Sequence, residues 1–167
     1  MNLINIKSPA DLKGLSIAEL TDLTAQARQA LMTKVSECGG HCGPPMGVAE
    51  MIMALHYVFN SPVDKIVYDV SHQSYVHKMV TGRALAFLDH NHYDDVTGYT
   101  DPTESEHDFF NIGHTSTSIS LASGLATARN LKGDSENIIA IIGDGSLSGG
   151  EAFEGLDYAA TLDSNMI

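Results

Sequence analysis

The sequence predicts an α/β protein in which a parallel sheet is covered by helices on both faces. Two short and almost wholly apolar segments, 65–70 and 136–142, are predicted strands, and helical patterns alternate with them along the chain. Strands of a parallel sheet are buried on both faces, so they lack the polar and apolar alternation of half-exposed strands. A chain of 167 residues is long enough for one core, and one domain over 1–167 is expected.

The first part of the chain is predicted to be helical. Ser16 and Glu19 have the spacing of a capping box that opens a helix, and Gly39 with Gly40 ends it. The apolar residues after the box fall close to one helical face, which is expected to be buried: Ile17, Leu20, Leu23, Ala27, Leu31 and Val35. A second helix is predicted over 46–59, apolar on most sides and therefore buried.

The remaining elements follow the same alternation. After the first strand a short helix is expected over 74–82, and 83–112 is the least regular segment. A helix made mostly of small residues, 115–130, suits close packing against a sheet. The second strand comes next, and 149–160 is predicted to be the last helix.

Composition and charge exclude several classes of protein. Hydrophobic residues make up 43% and charged residues 18%, and the net charge is −12 with nine Lys and Arg. Nucleic acid and anionic membranes require a cationic surface, so neither is an expected partner. No apolar run is long enough to cross a bilayer, and the N-terminus lacks the pattern of a signal peptide, so the cytoplasm is the expected location.

Two cysteines lie in the segment ECGGHCGPP, with His41 between them. Cys38, His41 and Cys42 together raise the question of a zinc site. No second pair of ligands follows at a suitable spacing, so two ordinary thiols beside a tight turn are the preferred interpretation.

The segment GDGSLSGG, 143–150, follows the second predicted strand and indicates a ligand site. Asp144 lies just past the strand, where a carboxylate reaches a bound divalent cation such as Mg²⁺. Gly143 and Gly145 allow a sharp turn, and the amides that open the next helix suit phosphate oxygens. The segment is neither a Walker loop nor a G-x-G-x-x-G motif, and glycines that serve only packing are the competing interpretation.

Histidines in turns bounded by glycine or serine form a second pattern. They are His41 in GGHCGPP, His72 and His77 in VSHQSYVHK, and His114 in NIGHTSTS. One such residue is usually a solvated loop histidine, but several at junctions between elements indicate a common cleft. The hydroxyls of 115–118 follow at a helix N-terminus, where they would donate to an anion.

These blocks resemble those of 1-deoxy-D-xylulose-5-phosphate synthases, which belong with the transketolases. The similar segments are GGHCGPPMGVAEMIMALHYVF, DKIVYDVSHQSYVHKMVTGR, TESEHDFFNIGHTSTSISLASGLATAR and IIGDGSLSGGEAFEGLDYAA, in the same order and spacing. The resemblance implies a thiamine diphosphate-binding fold with thiamine diphosphate and Mg²⁺ as cofactors. It also implies a transferase that condenses pyruvate with glyceraldehyde 3-phosphate, for isoprenoid precursors and thiamine, and a homodimer at full length.

The resemblance also implies roles for individual residues. Asp144 would ligate Mg²⁺, and Gly145 and Ser146 would line the diphosphate. The residues expected along the cofactor are His72, Gly113, His114, Thr115 and Ser116, and the expected catalytic residues are His41, His72 and His114. His41 would face the thiazolium and the substrate and transfer a proton.

The chain departs from the family pattern in two places. Thr100, Asp101 and Pro102 stand where the family has a Pro-Lys-Arg segment, which indicates a divergent member. The second, Asn-rich half of the metal motif is expected a few residues past Ile167, and the pyrimidine-binding and C-terminal domains would follow. The chain is therefore interpreted as a fragment of a longer protein, inactive by itself. A transketolase half-subunit and a non-catalytic α/β module are the alternatives.

Overall fold

The computed structural model describes all 167 residues, which form two compact units. The first unit consists of residues 1–60 and 72–98, and the second consists of residues 61–71 and 99–167. The expectation of one domain over 1–167 stays a prediction.

The first unit is helical. Its helices are α1 (Ile17–Cys38), α2 (Gly43–Gly47), α3 (Ala49–Val58), α4 (Tyr75–Lys78) and α5 (Leu85–Leu88). Shorter helical turns cover Leu3–Asn5, Pro9–Leu12, Met79–Arg83 and His90–Asp95. None of these helices, nor those of the second unit, combines the length and the hydropathy that crossing a bilayer requires.

Helix α1 begins and ends as predicted. The Glu19 amide donates to Ser16 Oγ at 3.3 Å, and the Ser16 amide donates to the Glu19 carboxylate at 2.8 Å, which completes the capping box. Gly39 follows the last helical residue with a φ of +79°, a conformation that glycine adopts without strain.

The predicted buried face of α1 is correct in its middle and wrong at its start. Leu23, Ala27 and Leu31 are fully buried, but Ile17 is 83% exposed. Ile17 lies in the first turn, before the stretch in which the helix packs against the rest of the unit. Periodicity alone does not show where along a helix that packing begins.

The predicted helix over 46–59 is divided at Val48, whose φ of −104° and ψ of 6° interrupt the helical backbone between α2 and α3. A smaller part of the surface of α3 is buried than expected. Ile52 and Met53 are buried, whereas Met51 is 42% exposed and Val58 is 63% exposed. The helix therefore covers the core with one face, although most of its side chains are apolar.

The segment predicted to be least regular contains helical structure. Helix α5 and the 3₁₀ turn His90–Asp95 lie within it. The expected break at Gly82 is present, since this residue has a φ of +94° inside the π-helical turn Met79–Arg83. A Cβ there would lie 2.7 Å from the Lys7 carbonyl oxygen, so glycine is required by both conformation and space.

The second unit contains the predicted parallel pair of strands. Strand β1 (Lys65–Tyr68) pairs with β2 (Ile138–Ile141), with Lys65 opposite Ile138 and Tyr68 opposite Ile141. Strand β1 ends earlier than predicted because Val70 has a φ of +58°, which takes the backbone out of the extended region.

Three helices complete the second unit: α6 (Ser118–Lys132), α7 (Asp144–Leu147) and α8 (Gly150–Ala160). Ala122 and Ala126 of α6 pack in one buried cluster with Val67 of β1 and Ile138 of β2. This packing confirms the expected contact of the small-residue helix with the sheet. Helix α6 begins later than predicted, because Ser116 has a φ of +73°.

The end of the described chain continues the sheet. Met166 forms a parallel bridge with Ile138, and the Ile167 amide donates to the Ile138 carbonyl oxygen at 2.9 Å. Ala140 donates its amide to the Ile167 carbonyl oxygen at 2.8 Å. Residues 166–167 therefore pair with β2 through an isolated parallel bridge.

Candidate functional site

The acidic loop lies at the carboxyl end of β2, as predicted. Asp144 begins the single turn α7, and its exposed carboxylate makes no hydrogen bond or ion pair with the protein. A Cβ placed on Gly143 or Gly145 would meet no atom within 4 Å, so open space adjoins the backbone on both sides of the aspartate. The loop thus offers a hard oxygen ligand together with accessible backbone.

The turn 113–118 presents fewer hydroxyls to solvent than its sequence indicates. Gly113, His114 and Thr115 are exposed. Ser116 is buried, and its Oγ donates to the Ser146 carbonyl oxygen at 2.6 Å. Only part of the predicted set of anion donors therefore faces solvent, and Ser116 connects the turn to the acidic loop.

Ser118 is the first residue of α6, and its side chain lies inside the unit. The residue is fully buried, and its Oγ has no hydrogen-bond partner. It is not one of the accessible donors that the sequence predicts.

Sequence reasoning missed Asp69, which organises this turn. Asp69 follows β1 directly and is fully buried. Its Oδ1 accepts the Ser116 amide at 2.9 Å, and its Oδ2 accepts the Ser118 amide at 2.9 Å. A carboxylate at a helix N-terminus satisfies amides that have no partner within the helix and interacts favourably with the helix dipole. The available signal was an acidic residue inside an apolar strand, since carboxylates are rarely buried without partners.

Strained backbone is concentrated around Asp69. Val70, Ser71 and Ser116 all have positive φ, at +58°, +73° and +73°. Each left-handed residue other than glycine costs about 1–3 kcal/mol and persists only where the surroundings enforce it. Here hydrogen bonds enforce it, since Ser71 Oγ donates to the Ile112 carbonyl oxygen at 3.0 Å and Ser116 is held by Asp69.

The first unit brings two of the predicted catalytic histidines together. The ring centroids of His41 and His72 are 4.8 Å apart, with their planes inclined at 59°. The backbone amide of His41 donates to Tyr75 Oη at 3.3 Å, so the glycine turn before His41 is anchored to helix α4. His41 is exposed and His72 is half-buried, and both roles assigned by resemblance stay predictions.

His77 belongs to the core of the first unit and not to an accessible cleft. Its Nδ1 lies 2.9 Å from Nε2 of His56, and both residues are fully buried. The two rings are stacked with centroids 5.0 Å apart. The sequence pattern placed His77 with His72, but His77 lies in α4 and is fully buried, whereas His72 precedes α4 and is half-buried.

The segment ECGGHCGPP contains two free thiols. Cys38 Sγ donates to the Lys34 carbonyl oxygen at 3.0 Å, and Cys42 Sγ lies 3.4 Å from Met32 Sδ. No group of three or more His, Cys, Asp or Glu side chains is arranged to hold a metal ion in either unit. Asp144 is therefore not part of such a group, and its role as a metal ligand stays a prediction.

A cavity of about 290 Å³ lies within the first unit. Its lining includes Lys34, Cys38, Tyr75 and Asp94. The Lys34 ammonium donates to the Tyr93 carbonyl oxygen at 2.7 Å and to the Ala86 carbonyl oxygen at 2.9 Å. Its charge is thus engaged in joining α1 to α5 and to the segment that follows α5.

The second unit places the chain in a general class. Its polar loops leave the carboxyl ends of parallel strands, which is the edge at which α/β proteins bind their ligands. The sequence profile of the family described as 1-deoxy-D-xylulose-5-phosphate synthase matches residues 3–167. The chain belongs to the 1-deoxy-D-xylulose-5-phosphate synthase family, which confirms the resemblance found in its sequence blocks.

Individual relatives show the same similarity. The 1-deoxy-D-xylulose-5-phosphate synthase of Caldanaerobacter subterraneus subsp. tengcongensis is 54% identical over 155 residues, which cover 93% of this chain and 25% of the relative. That of Shouchella clausii is 50% identical over 167 residues, 100% of this chain and 27% of the relative. That of Pelotomaculum thermopropionicum is 48% identical over 165 residues, 99% of this chain and 26% of the relative. The chain spans about a quarter of the length of these curated relatives.

Proposed function

We propose that the chain is the diphosphate- and magnesium-binding part of a thiamine diphosphate-dependent transferase. The complete enzyme would condense pyruvate with glyceraldehyde 3-phosphate, with loss of carbon dioxide, to give 1-deoxy-D-xylulose 5-phosphate. The observation that carries the proposal is the accessible Asp144 between two glycines at the end of β2, in a chain that the family profile matches over 3–167.

The residues of the acidic loop fit a magnesium-bound diphosphate. Mg²⁺ in proteins is commonly held by one or two carboxylates together with substrate phosphates and water, and Asp144 supplies one unengaged carboxylate. Gly145 and Ser146 would line the diphosphate with backbone and hydroxyl groups, and the open space beside Gly143 and Gly145 leaves room for it. When bound, thiamine diphosphate supplies the electron sink for decarboxylation and carbon–carbon bond formation.

The turn 113–118 would complete the cofactor contacts of the second unit. Gly113, His114 and Thr115 are exposed and available to a ligand. Ser116 would hold the turn against the acidic loop, because its hydroxyl donates a hydrogen bond to the Ser146 carbonyl oxygen. Its contribution to cofactor binding is therefore through position more than through direct donation.

His41, His72 and His114 are the residues that we propose to handle protons in the reaction. Histidine suits this work because its unperturbed pKa lies near neutral pH. The His41 and His72 rings lie side by side, with their centroids 4.8 Å apart, so both could approach one ligand. His41 is the more exposed of the two, which favours it as the group that exchanges a proton with the substrate.

The proposal includes the partners expected from the sequence. The substrates are small molecules, pyruvate and glyceraldehyde 3-phosphate, and nucleic acid and membranes are not partners. The net charge of −12 supports both exclusions. A homodimer for the full-length enzyme and a cytoplasmic location belong to the same proposal.

Assay of the full-length protein that carries this chain tests the function. We expect 1-deoxy-D-xylulose 5-phosphate and carbon dioxide to form from pyruvate and glyceraldehyde 3-phosphate when thiamine diphosphate and Mg²⁺ are present. Parallel reactions with other sugar phosphates as donors would reveal transketolase activity. A full-length protein that bound thiamine diphosphate but released no carbon dioxide from pyruvate would contradict the proposed reaction. One that did not bind the cofactor at all would support a non-catalytic module.

A further inference from the structure

Asp69 connects three segments of the second unit that are distant in sequence. Its backbone amide donates to the Ile141 carbonyl oxygen at 2.8 Å, so it extends the pairing of β1 with β2 by one residue. Its two carboxylate oxygens each accept one amide of the turn that opens α6. The sheet therefore fixes the position of Asp69, and the Asp69 carboxylate holds the 113–118 turn in place.

Ser116 links Asp69 to the acidic loop. The residue is held at a φ of +73°, with its amide bound to Asp69 and its Oγ donating to the Ser146 carbonyl oxygen at 2.6 Å. Gly149 provides the space for this approach, because a Cβ at that position would overlap the Ser116 hydroxyl. Asp69, Ser116 and Ser146 thus form a continuous connection from the end of β1 to the loop that carries Asp144.

The chemistry of the connection requires a carboxylate. Two amide N–H groups approach different oxygens of the same side chain, so both oxygens act as acceptors. An asparagine has the same shape but offers one acceptor and directs an NH₂ group at the other amide. One buried amide would then lose its partner and face a donor.

We propose that Asp69 is a positioning residue for the cofactor. It holds the 113–118 turn and, through Ser116, the loop of Asp144 in the arrangement that binds the magnesium diphosphate. This inference rests on the proposed function, because it concerns the same ligand, but it assigns a role to a buried residue that does not contact that ligand.

The chain provides a matched control at the opposite end of the same strand. Asp64 is also buried, at 6% exposure, and its Oδ1 accepts both the backbone amide and the side-chain amide of Asn137 at 2.8 Å. Asp64→Asn therefore removes the charge of a buried carboxylate before β1, while the side-chain oxygen can still accept both amides of Asn137.

The experiment compares wild type, Asp69→Asn and Asp64→Asn in the full-length protein. Thiamine diphosphate is titrated by calorimetry at several Mg²⁺ concentrations, and thermal unfolding is recorded without ligand. We expect Asp69→Asn to lower the unfolding temperature and to raise the dissociation constant for thiamine diphosphate by about 10-fold or more, whereas Asp64→Asn keeps the wild-type affinity. Wild-type affinity in a folded Asp69→Asn protein, or an equal loss in Asp64→Asn, would overturn the positioning role.

Ser116→Gly keeps the inference testable if Asp69→Asn does not fold. Glycine adopts the left-handed φ without strain, so the substitution removes the hydroxyl bonded to Ser146 with little cost to the backbone. We expect a folded protein whose dissociation constant for thiamine diphosphate rises about 10-fold, and unchanged affinity would overturn the inference. If wild type itself fails to bind thiamine diphosphate, the proposed function is contradicted and the role of Asp69 with it.

Discussion

The imidazole rings of His41 and His72 lie with their centroids 4.8 Å apart. His72 comes 31 positions after His41, and the two residues belong to different loops of the first unit, one before α2 and one before α4. Resemblance to the synthase family assigned a role to each residue separately. The structure adds that the two rings lie side by side, while the roles assigned to them stay predictions.

The histidine pair gives the first prediction. In the full-length enzyme we expect His41→Ala to lower kcat by about 100-fold or more, because it removes a group that transfers a proton. We expect His72→Ala to weaken thiamine diphosphate binding as well, since His72 is predicted to lie along the cofactor. Steady-state kinetics and calorimetry measure the two effects, with His90→Ala as a control for loss of an exposed imidazole outside the pair. Wild-type kcat in His41→Ala would contradict the catalytic role.

The second prediction concerns the metal. Asp144→Asn removes the charge of an exposed carboxylate that makes no hydrogen bond or ion pair with the protein, so folding should be unaffected. We expect thiamine diphosphate binding in the presence of Mg²⁺ to weaken by at least about 10-fold, as loss of groups around metal sites commonly does. Removing Mg²⁺ with a chelator should weaken wild type by a similar amount.

Asp134→Asn is the control for Asp144, because Asp134 is also exposed but follows the carboxyl end of α6. Its affinity for thiamine diphosphate should equal that of wild type. Binding by full-length protein that did not depend on divalent metal, or that survived Asp144→Asn, would refute the assignment of Asp144 as a ligand.

The third prediction compares two neighbouring glycines. A Cβ on Gly149 would overlap Ser116 Oγ, whereas a Cβ on Gly150 would meet no atom within 4 Å. We therefore expect Gly149→Ala to destabilise the protein by about 1–3 kcal/mol through overpacking. Gly150→Ala should be neutral or stabilising by up to about 1 kcal/mol, since alanine favours a helix over glycine. Thermal unfolding of the two variants tests the contrast, and equal shifts would contradict the observed approach of Ser116.

The fourth prediction is a pH dependence in the 3₁₀ turn His90–Asp95. The Asp95 carboxylate lies 2.7 Å from His92 Nδ1, and this hydrogen bond raises the pKa of His92 above its ordinary value. The folded-state pKa then exceeds the unfolded value of about 6.5. The pair stabilises the fold fully below that value, and the contribution is lost as pH rises through the folded pKa.

An NMR titration of the His92 ring protons tests this shift. We expect the midpoint in wild type to lie above the midpoint in Asp95→Asn, in which the charged acceptor is absent. Both side chains are substantially exposed, so the effect on overall stability should be small. Identical midpoints in the two proteins would show that the hydrogen bond does not form in solution.

Local sequence signals predicted the elements well where their cause is local. The capping box at Ser16 and the glycine stop at Gly39 act within a few residues, and α1 has the predicted bounds. Which side chains of α1 are exposed was less predictable. Ile17 fits the apolar period but lies outside the packed stretch, because the neighbouring elements decide which turns of a helix are covered.

Some features of the candidate site were likewise predictable from the sequence, and others were not. Asp144, Gly143 and Gly145 were predicted from the order strand, turn and helix, and the structure places them at the carboxyl end of β2. Ser116 was predicted to face a ligand, but its hydroxyl is bonded to Ser146. The local sequence around a residue does not show which carbonyl group will lie nearest to its side chain in the folded protein.

The sequence by itself determined the class of fold, the family and the position of the acidic loop, because strand hydrophobicity and the motifs are properties of contiguous residues. Only the tertiary structure decided that Asp69 is buried beneath the turn of Ser116 and Ser118, 47 and 49 residues further along. A buried carboxylate is tolerated only where amides or cations satisfy it. Those partners come from a segment that the parallel crossover returns to the end of β1.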